Sequence, residues 1–307
     1  MAKFTRSYLI LCVLFLIPLV GSFTLIPNGQ VPTVLNPPQA GTFDAGESTN
    51  PASPDPISEG AALSQDYASG NSYYYETQSN PKSGHYYVSW LKPKQNMDCD
   101  LYLYTDQFVS PPVSSSTTTG DGVLEWVVFR PSSSANPYYM RVATVSGSGQ
   151  PNYLAWEESV SISAGTPATG TIADAGSIDI FHANLLATSS YTFRLAVDPG
   201  SNLDLYLYYL AQGSTKNAGE STQASTTGGN GEDETIVGYS PGADGKFLLM
   251  VALAGNGGAY TLTLEETSGA ISPQLWLYPV IFIPIFFGAT FGYVGLLHLY
   301  RYLKNRG

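Results

Sequence analysis

The chain has 307 residues, of which 43% are hydrophobic and 12% charged, and its formal net charge is −11. That length exceeds one ordinary domain, and the apolar share suffices for packed cores. Its acidity repels nucleic acid and anionic lipid headgroups and favours divalent cations or basic partners, so nucleic acid is excluded as a ligand.

At the N-terminus, Lys3 and Arg6 precede an apolar run from Tyr8 to Val20 and the small residues Gly21 and Ser22. This is the layout of a secretory signal peptide over residues 1–22. Apolar character continues through Leu25 and Ile26, so an uncleaved anchor reaching about residue 26 is the alternative. Residues 23–40 form a Pro-rich lead-in, expected to be extended.

Between residues 41 and 268 strand signals dominate. Runs such as His85–Trp90, Leu101–Tyr104, Tyr191–Val197 and Tyr260–Leu264 alternate at period two, and Gly, Pro, Ser and Asn clusters separate them. No stretch here has a helical period. The fold class is therefore all-β, with short strands in a sandwich or jelly roll.

The same region is internally duplicated. Asp100-Leu-Tyr-Leu-Tyr104 is repeated letter for letter at Asp204–Tyr208, and Glu125 and Glu234 each open a later apolar run. Paired acids, Glu157-Glu158 and Glu265-Glu266, close the copies. An offset of about 104 to 110 residues is the size of one β-sandwich domain, so two tandem sandwiches are predicted, over 41–159 and 160–268. Matching Gly41–Gly46 to Gly170–Gly176 requires an offset near 129, which predicts an irregular insertion over about residues 47–70 in the first copy. That stretch is rich in Pro, Ser and Ala and contains Asp55, Glu59 and Asp66.

After the second copy, Leu275 to Tyr300 carries no Asp, Glu, Lys or Arg. At helical rise it reaches about 39 Å, enough for a C-terminal transmembrane helix. Arg301, Lys304 and Arg306 make 301–307 a basic tail that stays in the cytoplasm by the positive-inside rule, placing the bulk of the chain outside a cell membrane crossed once. Eight basic against twenty-four acidic residues give the part between the two apolar segments a charge of −16. Within the span, Gly288 and Gly292 have the spacing that lets helix backbones approach, which makes them candidates for self-association or contact with a partner helix.

Gly170-Thr-Ile-Ala-Asp-Ala-Gly-Ser-Ile-Asp-Ile-Phe181, then Asn202-Leu-Asp-Leu-Tyr-Leu207, then a Gly-rich turn and Tyr260–Leu264, resembles the prokaryotic pre-peptidase C-terminal (PPC) domain, which is similar to the collagen-binding domains of clostridial collagenases. The first copy departs from the pattern, with Tyr73-Tyr74-Tyr75 in place of Asp-Ile-Phe. The resemblance implies a non-catalytic secreted module that binds, spaces or assists, and that in several members holds calcium.

Two sets of residues are candidates for binding. Asp98 and Asp100 stand two apart on a predicted strand, as do Asn202 and Asp204, so each pair points to one face and could contribute oxygens to a calcium ion. Capping of a strand or turn by these side chains is the competing reading. If Leu101, Leu103, Leu205 and Leu207 face the cores, then Tyr102, Tyr104, Tyr206 and Tyr208 form outward rows able to stack on sugar or protein, or to pack one copy on the other. Catalytic signatures are lacking: no HExxH, nucleophile elbow or phosphate loop occurs, and His85 and His182 lack a metal-binding spacing. Cys99 is the sole cysteine outside the signal and is expected to be a buried thiol. The sequence thus predicts a non-catalytic cell-surface binding or adhesion protein, its ligand an extracellular protein or glycan. The rivals are a structural subunit of a membrane or envelope assembly and an accessory module for a secreted hydrolase.

Overall fold

The structure is a computed structural model that describes residues 40–41, 48–173, 178–227 and 229–268. Every strand below belongs to one compact unit that begins at Pro32, and residues 1–31 lie outside the described residues. The expected spans at 1–22 and 275–300, the lead-in up to residue 39, the tail at 301–307 and the Gly288/Gly292 pair also lie outside them. Among the described residues no helix is long and apolar enough to cross a membrane.

The first half contains β1 (Ala40–Gly41), β2 (Asp55–Ile57), β3 (Ala62–Tyr67), β4 (Ser72–Thr77), β5 (Tyr87–Lys92), β6 (Asp98–Tyr104), β7 (Ser114–Ser116), β8 (Glu125–Phe129), β9 (Tyr139–Ser146) and β10 (Gly149–Glu158). The second contains β11 (Val160–Ser161), β12 (Ala168–Ile172), β13 (Ile178–Leu185), β14 (Ser189–Val197), β15 (Leu203–Tyr208), β16 (Thr215–Asn217), a 3-10 turn (Ala218–Glu220), β17 (Gln223–Ser225), β18 (Glu234–Tyr239), β19 (Gly245–Leu253) and β20 (Gly258–Ser268). All-β architecture is therefore observed.

The strands assemble into four sheets, and the order of the first pair is repeated in the second. The five-stranded sheet β2-β4-β9-β6-β7 matches β11-β13-β19-β15-β17, while the strands β3-β10-β5-β8 match β12-β20-β14-β18. Matching includes the parallel edge, since β2 runs parallel to β4 and β11 parallel to β13. The β3-β10-β5-β8 sheet alone is extended, by β1 beside β3 and by β16 beside β8.

The expected insertion at 47–70 is corrected by this topology. The stretch holds β2 and β3, and Asp55, Ala62 and Ser72 precede Val160, Ala168 and Ile178 by 105 or 106 residues. The offset is thus uniform. Pro56 and the flanking Ser and Pro residues conceal β2, and the Ala–Gly signal at 41–46 precedes the repeated unit rather than opening it.

Alternation places one apolar face of each strand in a core. Ile57, Leu63, Tyr75, Tyr87, Leu101, Phe129, Val142 and Trp156 meet between the two sheets of the first half. The opposite faces of β5, β8 and β10 are equally buried: Val88, Trp90, Trp126, Val128 and Ala155 join one continuous cluster with Ile180, Tyr208 and Met250 of the second half. The two halves are therefore stacked sheet on sheet. Trp126 Nε1 donates to the Tyr208 hydroxyl at 2.9 Å and its ring meets Tyr206 edge-on at 5.2 Å. At the rim the Tyr86 hydroxyl donates to the backbone oxygens of Leu210 and Lys246, and Arg130 Nη1 donates to Leu210 O at 3.0 Å.

A strap completes the union. Between β15 and β17 the chain leaves the second half and lays β16 antiparallel along β8, with Thr215, Lys216 and Asn217 opposite Phe129, Val128 and Val127. Asn217 then caps the 3-10 turn, accepting from Gly219 N, while Glu220 accepts from Asn217 N.

One carboxylate anchor recurs at the start of β8 and β18. Glu125 accepts from the hydroxyls of Ser116 and Thr118 and from Thr118 N; Glu234 accepts from Ser225, Thr227 and Thr227 N. Both acids are buried, so they are structural groups inside the fold. Burial lifts the Glu125 carboxyl from 4.5 to about 7, against the pull of its hydrogen bonds.

Two outcomes follow from this packing. Trp126→Ala removes a buried ring and leaves Tyr208 without its donor; a loss of about 3–5 kcal/mol is expected, and the single calorimetric transition of the parent should separate into two. Because the folded value of Glu125 lies above its unfolded one, its contribution is fully present below about pH 4.5 and is lost as pH climbs through 7. The parent's Tm should therefore fall between pH 5 and about 7.5 relative to that of Glu125→Gln in matched melts.

Candidate binding surface

Stacking leaves two outer sheet faces. The face of β12-β20-β14-β18 carries Thr169, Thr171, Thr192, Thr261, Thr263 and Arg194, the ordinary polar side of an antiparallel sheet. The other end face, on β4, β9 and β6, is aromatic.

Period-two alternation builds that face. Tyr73 and Tyr75 of β4 are buried and Tyr74 points out; on β9 Met140 and Val142 are buried and Tyr139 and Arg141 point out; on β6 Leu101 and Leu103 are buried beneath Tyr102 and Tyr104. Register sets Arg141 between Tyr74 and Tyr102, and Tyr139 beside Tyr104. The Arg141 guanidinium lies over the Tyr102 ring, 4.1 Å from its centroid.

The loop from Thr105 to Val113 adds the remaining ring. Asp106 Oδ1 accepts from Val109 N and Ser110 N, and Phe108 N donates to Asp106 O. This turn holds Phe108 at φ 59, the one non-glycine residue with positive φ among those described. Such a conformation costs about 1 kcal/mol or more. It is offset by three edge-on contacts of the Phe108 ring, with Tyr74 at 4.8 Å, Tyr104 at 5.1 Å and Tyr139 at 5.5 Å. Val109 beside it is 86% exposed.

Electrostatics set one cation, Arg141, among the rings, with the carboxyl of Asp106, held low by its hydrogen bonds from Ser110 and Val109, beside Tyr104 and Tyr139. Burial raises the hydroxyls of Tyr102, Tyr104 and Tyr139, so all three stay protonated, that of Tyr102 donating to Asp100. Asp100 is raised by burial, the Tyr102 hydroxyl and Arg141 opposing and Asp98 reinforcing the shift. Stacking and hydrogen bonding are the chemistry offered; no nucleophile and base are paired here.

The residues nominated from sequence fall into different places. Tyr102 and Tyr104 lie on the aromatic face. Tyr206 and Tyr208 do not form a free row: Tyr208 is fully buried and both rings are packed under Trp126 by the first half. In the first copy the tyrosines of the identical pentapeptide lie under Arg141 and Phe108, Tyr102 half-exposed and Tyr104 buried, and in the second they lie under the twin sheet. Asp100 and Asp204 each accept a hydrogen bond from the tyrosine two residues on, Tyr102 and Tyr206, at 3.0 Å. Asn202 fixes a turn through its backbone, to Asn256 O and from Ala254 N and Gly255 N. Asp98 is 8% exposed, and its Oδ1 has no hydrogen-bond partner among the described residues. Among those residues no group of three or more His, Cys, Asp or Glu side chains converges as a metal site. Cys99 is buried, its thiol pushed up to about 11 by burial. Tyr74, Tyr139 and Arg141 were missed by sequence reasoning, although the alternation at Tyr73–Tyr75 and at Tyr139–Val142 carries the signal. Phe108 stands in a loop without periodicity and gave none.

No family model matches the chain, and no curated protein matches its sequence. Among solved structures it is similar to the pre-peptidase C-terminal domain of collagenase from Bacillus anthracis, at 17% identity and TM-score 0.29 over 36% of this chain and 96% of that one. It is also similar to Aeromonas hydrophila PliG, a periplasmic lysozyme inhibitor, at 16% identity and TM-score 0.25 over 36% and 96% of the two chains. The infectious bursal disease virus VP2 subviral particle aligns at 15% identity and TM-score 0.19 over 63% of this chain and 59% of that one.

Asp98 gives this region its own test. Asp98→Asn replaces a buried carboxylate, one oxygen of which lacks a partner, by a neutral amide, so Tm in chelator should rise, by the equivalent of about 1 kcal/mol. Millimolar calcium should raise the Tm of the parent and leave that of Asp98→Asn unchanged, if Asp98 and Asp100 together hold the ion.

Proposed function

We propose that the protein is a non-catalytic binding protein of the cell surface, built of two tandem PPC-like sandwiches, that engages an extracellular protein or glycan through the aromatic face of its first five-stranded sheet. One observation carries this reading: the equivalent face of the second five-stranded sheet is a docking face, buried under Trp126, whereas on the first Tyr74, Tyr102, Phe108 and Tyr139 stay half-exposed and only Tyr104 is buried, against the Phe108 ring. Large rings with few rotatable bonds lose little entropy on contact, and such residues dominate binding hot spots. Surface display rests on the apolar segments Tyr8–Val20 and Leu275–Tyr300 with the basic tail after the second. Calcium between Asp98 and Asp100 is a separate part of the proposal, supported by the unpartnered Asp98 oxygen.

The test is binding by the full chain, extracted in mild detergent, to arrays of glycans and extracellular matrix proteins. Paired replacement Phe108→Ala and Tyr139→Ala should lower affinity at least tenfold, equivalent to about 1.4 kcal/mol, while the interface between the halves keeps the protein folded. Capture that is insensitive to both replacements would remove this face from binding. A partner of fixed stoichiometry that stays with the native protein through extraction would instead identify a subunit of a larger membrane assembly.

A further inference from the structure

The second half contains a groove that the aromatic face does not include. It lies between the strap on one side, contributing Tyr209, Lys216 and Thr222, and the β18–β19 turn on the other, contributing Tyr239 and Gly242, with Phe247 between them. Its volume of about 320 Å³ is at the small end of the range for ligand pockets and suits one ring-sized group.

Three rings line it in fixed relation. Tyr209 and Phe247 are 4.9 Å apart and tilted, and Tyr239 meets Phe247 edge-on at 5.7 Å. Tyr209 is nevertheless 42% exposed, so this cluster is not sealed core. Its backbone N–H is fixed by Thr222 Oγ1 at 3.0 Å. Lys216 is the one charged residue of the lining; Nζ donates to Glu220 O at 3.1 Å and keeps two further donors. A cation set beside three aromatic rings is the complement of a ring that is apolar on its faces and anionic at its edge. A hexuronic acid has that form: its C–H faces stack on aromatic rings and its carboxylate pairs with an ammonium.

We infer that this groove binds a single uronic acid unit of an otherwise neutral glycan, the sugar ring held by Tyr209, Tyr239 and Phe247 and its one carboxylate by Lys216, since a run of such units would meet the repulsion of the acidic chain. The site does not depend on the aromatic face of the first half. Because Lys216 belongs to the strand laid along β8, an occupied groove also tethers the strap to the β18–β19 turn. Ligand should therefore slow amide exchange at Thr215, Lys216 and Asn217.

The test titrates detergent-solubilised full chain with a neutral galactose oligomer that carries one terminal galacturonate and with the same oligomer lacking it. The acidic oligomer is expected to bind at least tenfold more tightly, with affinity falling as salt rises. Lys216→Gln should reduce that preference to near unity. At Gly242 an added Cβ meets no atom within 4 Å, so Gly242→Trp should leave Tm unchanged while filling the groove and abolishing uptake of both sugars. Equal binding of acidic and neutral oligomers would overturn the acidic ligand; binding that survives Gly242→Trp, or no binding of either at millimolar concentration, would overturn the site.

Discussion

Everything else in this molecule depends on one contact, the sheet of β3, β10, β5 and β8 lying with its outer face on the outer face of β13, β19 and β15. An antiparallel sheet ordinarily buries one face and wets the other. Here both central sheets are buried on both sides, and the apolar cluster passes from the core of the second half into the junction without interruption. The junction resembles a domain core more than a transient interface. It decides which tyrosines are structural and which are free, and the strap that crosses it supplies the wall of the groove.

Buried acids show what that packing tolerates. Glu125 and Glu234 are satisfied by hydroxyl and backbone donors in the same arrangement twice. Glu157, on the side of β10 that faces the junction, is in another position: Oε1 has no hydrogen-bond partner among the described residues, and burial, with the carboxylates of Asp179 and Glu59, pushes it well above the usual range. Asp179 is raised to about 6 by burial despite a hydrogen bond from the Tyr260 hydroxyl. In the neutral form such groups avoid most of the cost of a buried charge.

Much of the fold was legible in the sequence because it rests on local periodicity and on repetition. The pentapeptide at Asp100 and Asp204 located two equivalent strands, and alternation placed their leucines in the cores. Which copy would expose its tyrosines was written in other strands. β5 and β8 read Tyr-Val-Ser-Trp-Leu and Glu-Trp-Val-Val-Phe, nearly apolar on both faces, whereas β14 and β18 interleave Thr192, Arg194 and Thr235 with apolar residues. A sheet apolar on both sides needs two neighbours, and that asymmetry identifies the first copy's sheet as the one the second copy covers. The position of Phe108 was not legible, since it depends on a loop conformation and on rings from three strands. The groove was not legible either, because its walls meet only after the strap has crossed to β8.

Stacking four sheets about 10 Å apart separates the two end faces by roughly 30 Å and points them in opposite directions. With the junction closed by packed rings and a shared strand, the chain has no hinge between its halves, so that separation is a fixed length. A body of this shape cannot lay both ends on one flat target and gain from double attachment. The aromatic end and the threonine face are thereby kept at a set distance and orientation from each other.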